Sequence, residues 1–214
     1  MFEYFLFDFD GTLMDTSPGV YNSFDRVVNH YKLGIDRSVY RRMIGPPLRE
    51  SFANILGLPE NEIVNAMAKY REYYSVTGMY EADFYPGVLD VIRKLRSMGK
   101  RIFVATSKPE IYARSILEKK GVLDLFDFVG GSDIEEKGRV EKVDVVKYVL
   151  ESNQIEDLSK CLMIGDRFYD VKGAHLAGIK CAGILWGFGS RSEMEECGAD
   201  YIVSDPGNII FCGD

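Results

Sequence analysis

The sequence predicts an α/β protein: an open parallel sheet covered by helices on both faces, interrupted near its start by an α-helical insert. Short apolar runs that read as buried strands recur along the chain. Helical patterns alternate with those runs, and parallel strands need such crossover connections. About seventy residues between the first strand and the next core helix hold no convincing strand, far more than a crossover uses.

The first strand is expected over Tyr4 to Phe9. In the insert, Tyr21, Phe24, Val28 and Tyr31 recur at helical spacing, as do Ile63, Met67, Tyr70 and Tyr74, with the breaker Gly45-Pro46-Pro47 between them. These stripes predict a helical cap domain over residues 16–80, its aromatics serving as core more readily than as substrate contacts. Residues 1–15 and 81–214 then form the α/β core domain. Pro86-Gly87 opens a helix with apolar residues at Val88, Leu89, Ile92 and Leu95, and Gly99 closes it. A strand follows at Ile102 to Ala105. The helix after Pro109 ends in Lys119-Lys120-Gly121, two cations and a glycine suited to a C-terminus. Further strands are expected at Phe126 to Val129, Cys161 to Ile164 and Cys181 to Leu185, with a helix through Val145, Val146, Val149 and Leu150.

With 214 residues, 46% hydrophobic and 28% charged, the chain is long enough to bury a sizeable core and too apolar for extended disorder. A net charge of −7 disfavours nucleic acid as a general partner, because binding a phosphate backbone draws on a basic face. No apolar run approaches the roughly 20 residues that span a bilayer, and MFEYFLFDFD carries acids where a targeting segment would carry bases. The expectation is a cytoplasmic enzyme with no membrane partner. Cys161, Cys181, Cys197 and Cys212 form no CxxC pair, so buried reduced thiols are expected. His30 and His175 have no histidine or cysteine at ligand spacing. No coiled-coil heptad or other signal of assembly appears, which leaves the oligomeric state open.

In open parallel sheets, ligands bind beyond the carboxyl ends of the strands, and the polar clusters of this chain fall there. The first strand runs into Asp8-Phe9-Asp10-Gly11-Thr12, the second ends in Thr106-Ser107-Lys108, and the fourth ends in Gly165-Asp166-Arg167. Alternation along an extended segment places Asp8 and Asp10 on one side. Asp170 lies one helical turn beyond Asp166 if a helix begins at once. Clustered carboxylates repel unless a cation or donors hold them ionised. Mg²⁺, which prefers oxygen ligands and leaves room for waters and a substrate phosphate, answers that need better than an all-protein calcium cage. Asp8 and Asp166 are the expected direct ligands, with Asp10 contributing its backbone oxygen and Asp170 acting through water or by orientation.

These residues resemble the haloacid dehalogenase superfamily, and within it the phosphatases with a helical cap, such as phosphoglycolate phosphatases; the likeness covers essentially the whole chain. FLFDFDGTLMDTS resembles the first motif, FVATSKP the second and CLMIGDRFYDVKGA the fourth. The resemblance implies a Rossmann-like core and a phosphoric monoester hydrolase acting on a small phosphorylated metabolite. It implies Asp8 as nucleophile, Asp10 as general acid and base, Thr106 as a hydrogen-bonding partner of the phosphoryl group, and Asp166 and Asp170 as metal acids. It further implies a lysine, for which Lys137, Arg139 and Lys142 are the candidates. Lys142 shares a helical face with Val145, Val146 and Val149, so its ammonium needs a polar partner within the core, and the catalytic acids supply one. Ser107, Lys108 and Arg167 are weaker candidates for anion contact. The resemblance also implies a cap that controls water by closing. Arg49, in IGPPLRESF, corresponds to a cap loop that faces the active site in the family, where the resemblance implies contact with an anionic group on the substrate's leaving portion, and Trp186-Gly187-Phe188-Gly189 resembles a stretch bordering the entrance.

A sugar phosphomutase would keep the same acids and return the phosphoryl group to a sugar. A dehalogenase needs neither the metal acids nor Asp10. A non-catalytic phosphate-binding module is the alternative of a different class, against which every expected chemical position is filled.

Overall fold

Short strands that are apolar on both sides need helices on both faces, and the chain supplies them in alternation. The computed structural model describes residues 1–134 and 138–213. In chain order the elements are β1 (Tyr4–Phe7), β2 (Met14–Asp15), α1 (Ser17–His30), α2 (Leu48–Glu50), α3 (Glu60–Tyr74), β3 (Asp83–Phe84), α4 (Val88–Ser97), β4 (Arg101–Pro109) and α5 (Glu110–Lys119). They continue with β5 (Phe128–Ser132), α6 (Lys142–Ser152), β6 (Cys161–Gly165), α7 (Phe168–Leu176), β7 (Lys180–Ile184), α8 (Arg191–Glu196) and β8 (Tyr201–Val203). Two compact units result: Met1–Met14 with Phe84–Asp214, and Asp15–Asp83.

The first unit is built on a six-stranded parallel sheet of order β5-β4-β1-β6-β7-β8. One face carries Leu6, Phe103, Ala105 and Met163 against Val145, Val146 and Val149 of α6, Val171 and Ala174 of α7 and Met194 of α8. Strand alternation sends Phe5, Phe7, Ile102 and Val104, all buried, to the other face. There α4 and α5 pack on β4. The chain leaves β1 for β4 on one side and later returns to β6 on the other. The carboxyl ends of β1, β4 and β6 therefore surround the crevice where the strand order reverses.

Several elements differ from expectation in their bounds. Regular β1 stops at Phe7, although the Asp8 amide still bonds to the Ile164 carbonyl at 2.9 Å. β5 starts at Phe128 and runs through Gly130 and Gly131, two residues that carry no strand signal. Both sit where helices approach the strand: a Cβ on Gly130 would lie 2.4 Å from Val149, and one on Gly131 would lie 2.6 Å from the Glu110 backbone. β8 is an additional, short edge strand.

In the second unit, the aromatic stripes of α1 and α3 form the core. Phe24 packs edge-on against Tyr40 and Phe52 with ring centroids 5.3 and 6.1 Å away, and Tyr70 stacks on Tyr74 at 5.2 Å. Such pairs each contribute about 0.5–1.5 kcal/mol beyond their area burial. Arg49, at the single turn α2, forms an ion pair with Glu60 at the start of α3. All four cysteines are free thiols, three of them buried. His175 pairs with Asp200 at 2.9 Å, and His30 packs on the Tyr31 ring. Among the described residues, no helix is long and apolar enough to cross a membrane.

Candidate active site

Asp8 leaves the end of β1, Thr106 lies near the end of β4, and Asp166 follows the last residue of β6, so three neighbouring strands deliver their polar residues to one edge. Lys142 is the first residue of α6, where Glu141 begins the helix and its amide bonds to Asp144 at 3.1 Å. From there the lysine runs inward beside α7. Gly173 makes room for it, since a Cβ at that position would lie 2.5 Å from Lys142 Cγ.

The Lys142 ammonium donates to Asp8 Oδ1 at 2.7 Å and to the Ala105 carbonyl at 3.2 Å, and forms an ion pair with Asp170 Oδ1 at 2.7 Å. Asp8, Asp166 and Asp170 each offer an oxygen within 4.8 Å of the others. Asp166 is completely buried; its Oδ1 accepts from the Thr12 hydroxyl at 3.2 Å and its Oδ2 from the Phe188 amide at 2.7 Å. Trp186 Nε1 donates to the Thr12 carbonyl at 3.1 Å, tying the segment after β7 to the β1 loop. Gly11 makes that approach feasible: its φ of 85° is left-handed, and a Cβ there would meet Asp166 Oδ2 at 2.3 Å.

Asp10 does not join the three-carboxylate group. Its Oδ1 lies 2.9 Å from the buried Lys108 ammonium. Lys108 and Ser107 occupy an irregular stretch of β4, whose register against β5 shifts between Thr106 and Pro109. Thr106 Oγ1 accepts from the Lys108 amide at 3.2 Å, so threonine and lysine brace each other. The helix carrying Asp170 begins two residues beyond Asp166, at Phe168, and not at once. Asp170 therefore sits in its first turn, where Oδ2 accepts the Arg167 amide at 3.0 Å. Arg139 lies elsewhere, bonded to the Gly131 carbonyl at 2.9 Å and over the Tyr148 ring. Lys137 falls outside the described residues.

Burial governs the electrostatics. It pushes the Asp8 carboxyl up to about 6, against the pull of Lys142 and with reinforcement from Asp170 and Asp10. It also raises Asp166 well above the carboxylate range, joined by Asp170 and Asp8 and only partly offset by the Phe188 amide and Arg167. For Lys142, burial opposes the charge, but Asp170 and Asp8 outweigh it and the ammonium is held charged beyond the ordinary lysine range.

Four carboxylates thus face two ammonium groups, with Arg167 paired to Glu193. Asp170 Oδ1 and Asp10 Oδ1 are buried without an aligned hydrogen bond, despite their lysine neighbours. Asp8, Asp166 and Asp170, grouped around the one Lys142 ammonium, offer hard oxygen donors that fit a divalent cation of the magnesium or calcium kind. From sequence, Thr12 has no role of its own and Trp186 and Phe188 are placed only at the entrance; in the fold they hold Asp166 and the β1 loop instead. The backbone amide and carbonyl contacts leave no trace in residue identity, although Thr12 stands within the quoted motif.

Residues 5–184 match the family model for haloacid dehalogenase-like hydrolases. A 5′-nucleotidase from Pseudomonas aeruginosa is 36% identical over 192 residues, covering 88% of this chain and 85% of that one. A phosphoglycolate phosphatase from Rhodospirillum rubrum is 29% identical, covering 94% of this chain and 86% of the other. Among solved structures, that of a predicted phosphatase from Clostridium acetobutylicum gives a TM-score of 0.92 at 35% identity, covering 98% of this chain and 96% of that one.

Proposed function

The chain belongs to the haloacid dehalogenase-like hydrolases and is a phosphatase, and from that premise we propose a magnesium-dependent, phosphoglycolate phosphatase-like enzyme that works through an aspartyl-phosphate on Asp8. The observation that carries this reading is the single ammonium of Lys142, shared at 2.7 Å between Asp8 and Asp170. It holds one Asp8 oxygen and leaves the other for attack.

In the first half-reaction, that Asp8 oxygen forms a bond to phosphorus as the bond to the leaving oxygen breaks in line. Asp10, positioned by Lys108, gives its proton to the leaving group. In the second half-reaction, Asp10 takes a proton from water, the water oxygen attacks phosphorus, and the P–O bond to Asp8 breaks to release phosphate. Lys142 and the Thr106 hydroxyl stabilise the phosphoryl oxygens in both steps. Mg²⁺ would be held directly by Asp8 and Asp166, with the Asp10 backbone oxygen and an indirect contribution from Asp170. It would supply neutralisation of the phosphoryl charge. The two named relatives act on small phosphorylated molecules, which supports a metabolite of that size as substrate.

The test is phosphate release across phosphoglycolate, nucleoside monophosphates, pyrophosphate, sugar phosphates and p-nitrophenyl phosphate, with Mg²⁺ or with chelator, in wild type and Asp8→Asn. Turnover should require both Mg²⁺ and Asp8. Undiminished release by Asp8→Asn would overturn the covalent route, and undiminished release in chelator would overturn the metal.

A further inference from the structure

We propose that Glu193 is a positioning residue for the metal-binding carboxylates, a role that rests on the metal reading above. Glu193 touches none of the reacting groups. It lies in the first turn of α8, where Ser190 caps the helix by accepting the Glu193 amide at 3.1 Å. The helix itself is anchored by Met194, fully buried in the core and pressed so closely on β7 that a Cβ on Gly183 would lie 2.4 Å from its sulfur. From this fixed base, Glu193 Oε1 accepts Arg167 Nε at 2.9 Å and the Phe168 amide at 2.9 Å.

Arg167 and Phe168, the residue before α7 and its first residue, join Asp166 to the helix that carries Asp170. Two carboxylates grip the backbone of this junction: Asp170 takes the Arg167 amide at 3.0 Å, and Glu193 takes the Phe168 amide. The segment before α8 also packs on Asp166. Phe188 donates to Asp166 at 2.7 Å, and Gly189 lies so near that a Cβ would come 1.9 Å from the Asp166 carbonyl oxygen. Like charges at Asp166, Asp170 and Asp8 repel, and an unsupported junction would relax by letting them part. Glu193 opposes that movement by satisfying a helix-start amide and the Arg167 side chain together, as an outer partner that orients first ligands.

The experiment is Mn²⁺ titration followed by electron paramagnetic resonance, on wild type, Glu193→Ala, Glu193→Gln and the exposed Glu196→Ala, each with its melting temperature and circular dichroism. Glu193→Ala should weaken Mn²⁺ binding by about tenfold to a hundredfold, the usual cost of losing an outer partner. Glu193→Gln, which keeps an oxygen for both donors, should lose less, and Glu196→Ala should bind as wild type does. The apparent metal constant for turnover should rise in Glu193→Ala while kcat recovers at saturating metal. Should Glu193→Ala fail to fold, the smaller loss in Glu193→Gln decides. Wild-type Mn²⁺ affinity in the folded Glu193 variants, with only a lower melting temperature, would overturn the proposal and leave Glu193 a helix cap. A wild type that binds no Mn²⁺ would overturn the metal reading itself.

Discussion

Asp8→Asn should stabilise the metal-free protein while it removes activity. The Asp8 carboxyl is raised from 3.8 to about 6, burial being the first cause. A carboxyl whose pKa rises on folding contributes its stability in full below pH 3.8 and loses it as pH climbs through about 6. Above that window, the difference amounts to about 3 kcal/mol, at about 1.4 kcal/mol per pH unit. Asparagine mimics the neutral acid and keeps an oxygen for Lys142, so it escapes this penalty. The single tryptophan, Trp186, lies in the sheet-bearing unit, and its fluorescence reports that unit alone during urea or thermal unfolding. In chelator at pH 7.5, the variant should gain about 3 kcal/mol, or roughly 6–12 °C in melting temperature for a domain of this size. At pH 5 about half of that gain should remain, and near pH 4 little. Adding Mg²⁺ should stabilise wild type more than the variant and narrow the gap. A variant no more stable than wild type at pH 7.5, or a gap unchanged with pH, would refute the electrostatic reasoning.

Asp10→Asn should slow both half-reactions by about 10²–10⁴-fold, with p-nitrophenyl phosphate rescuing only the first; burst kinetics separate the two. Lys142→Met strands buried carboxylates and should cost about 3–5 kcal/mol in chelator at pH 7.5, part of it regained at pH 5 as Asp8 takes up its proton, measured by urea unfolding. Gly173→Ala would ordinarily strengthen a helix by about 1 kcal/mol, yet crowding of the Lys142 stem should make it a net loss, with reduced kcat, since overpacking costs about 1–3 kcal/mol.

Much of this arrangement is legible in the residues. Four apolar runs identify β1, β4, β6 and β7 within a residue or two at most boundaries, because buried parallel strands carry little except apolar side chains. The resemblance asks for a lysine and the valine-lined helical face points to Lys142, which in the fold lies against Asp8, whereas Arg139 bonds to the Gly131 carbonyl. What stays hidden depends on packing. Gly130 and Gly131 belong to β5 because α6 and α5 leave no space for a Cβ, a fact of tertiary approach that strand propensity cannot express. β8 has only three residues and lies at an edge, too short for a periodic signal. Lys108 reads as a candidate for anion contact, and its burial against the Asp10 carboxylate is visible only in the fold. Glu193 stands 23 or more residues from every site acid, among other glutamates of α8, and only the folded chain brings it onto Arg167 and Phe168.

The account is tested most directly by trapping the covalent species. Protein quenched in acid during turnover of a cleaved substrate, reduced with borohydride and digested should yield homoserine in place of Asp8 in the amino-terminal peptide, identified by mass spectrometry. The signal should require Mg²⁺ and be absent from Asp8→Asn. Rapid turnover with Asp8 unmodified in every quenched sample, including samples of Asp10→Asn where the intermediate should accumulate, would contradict it.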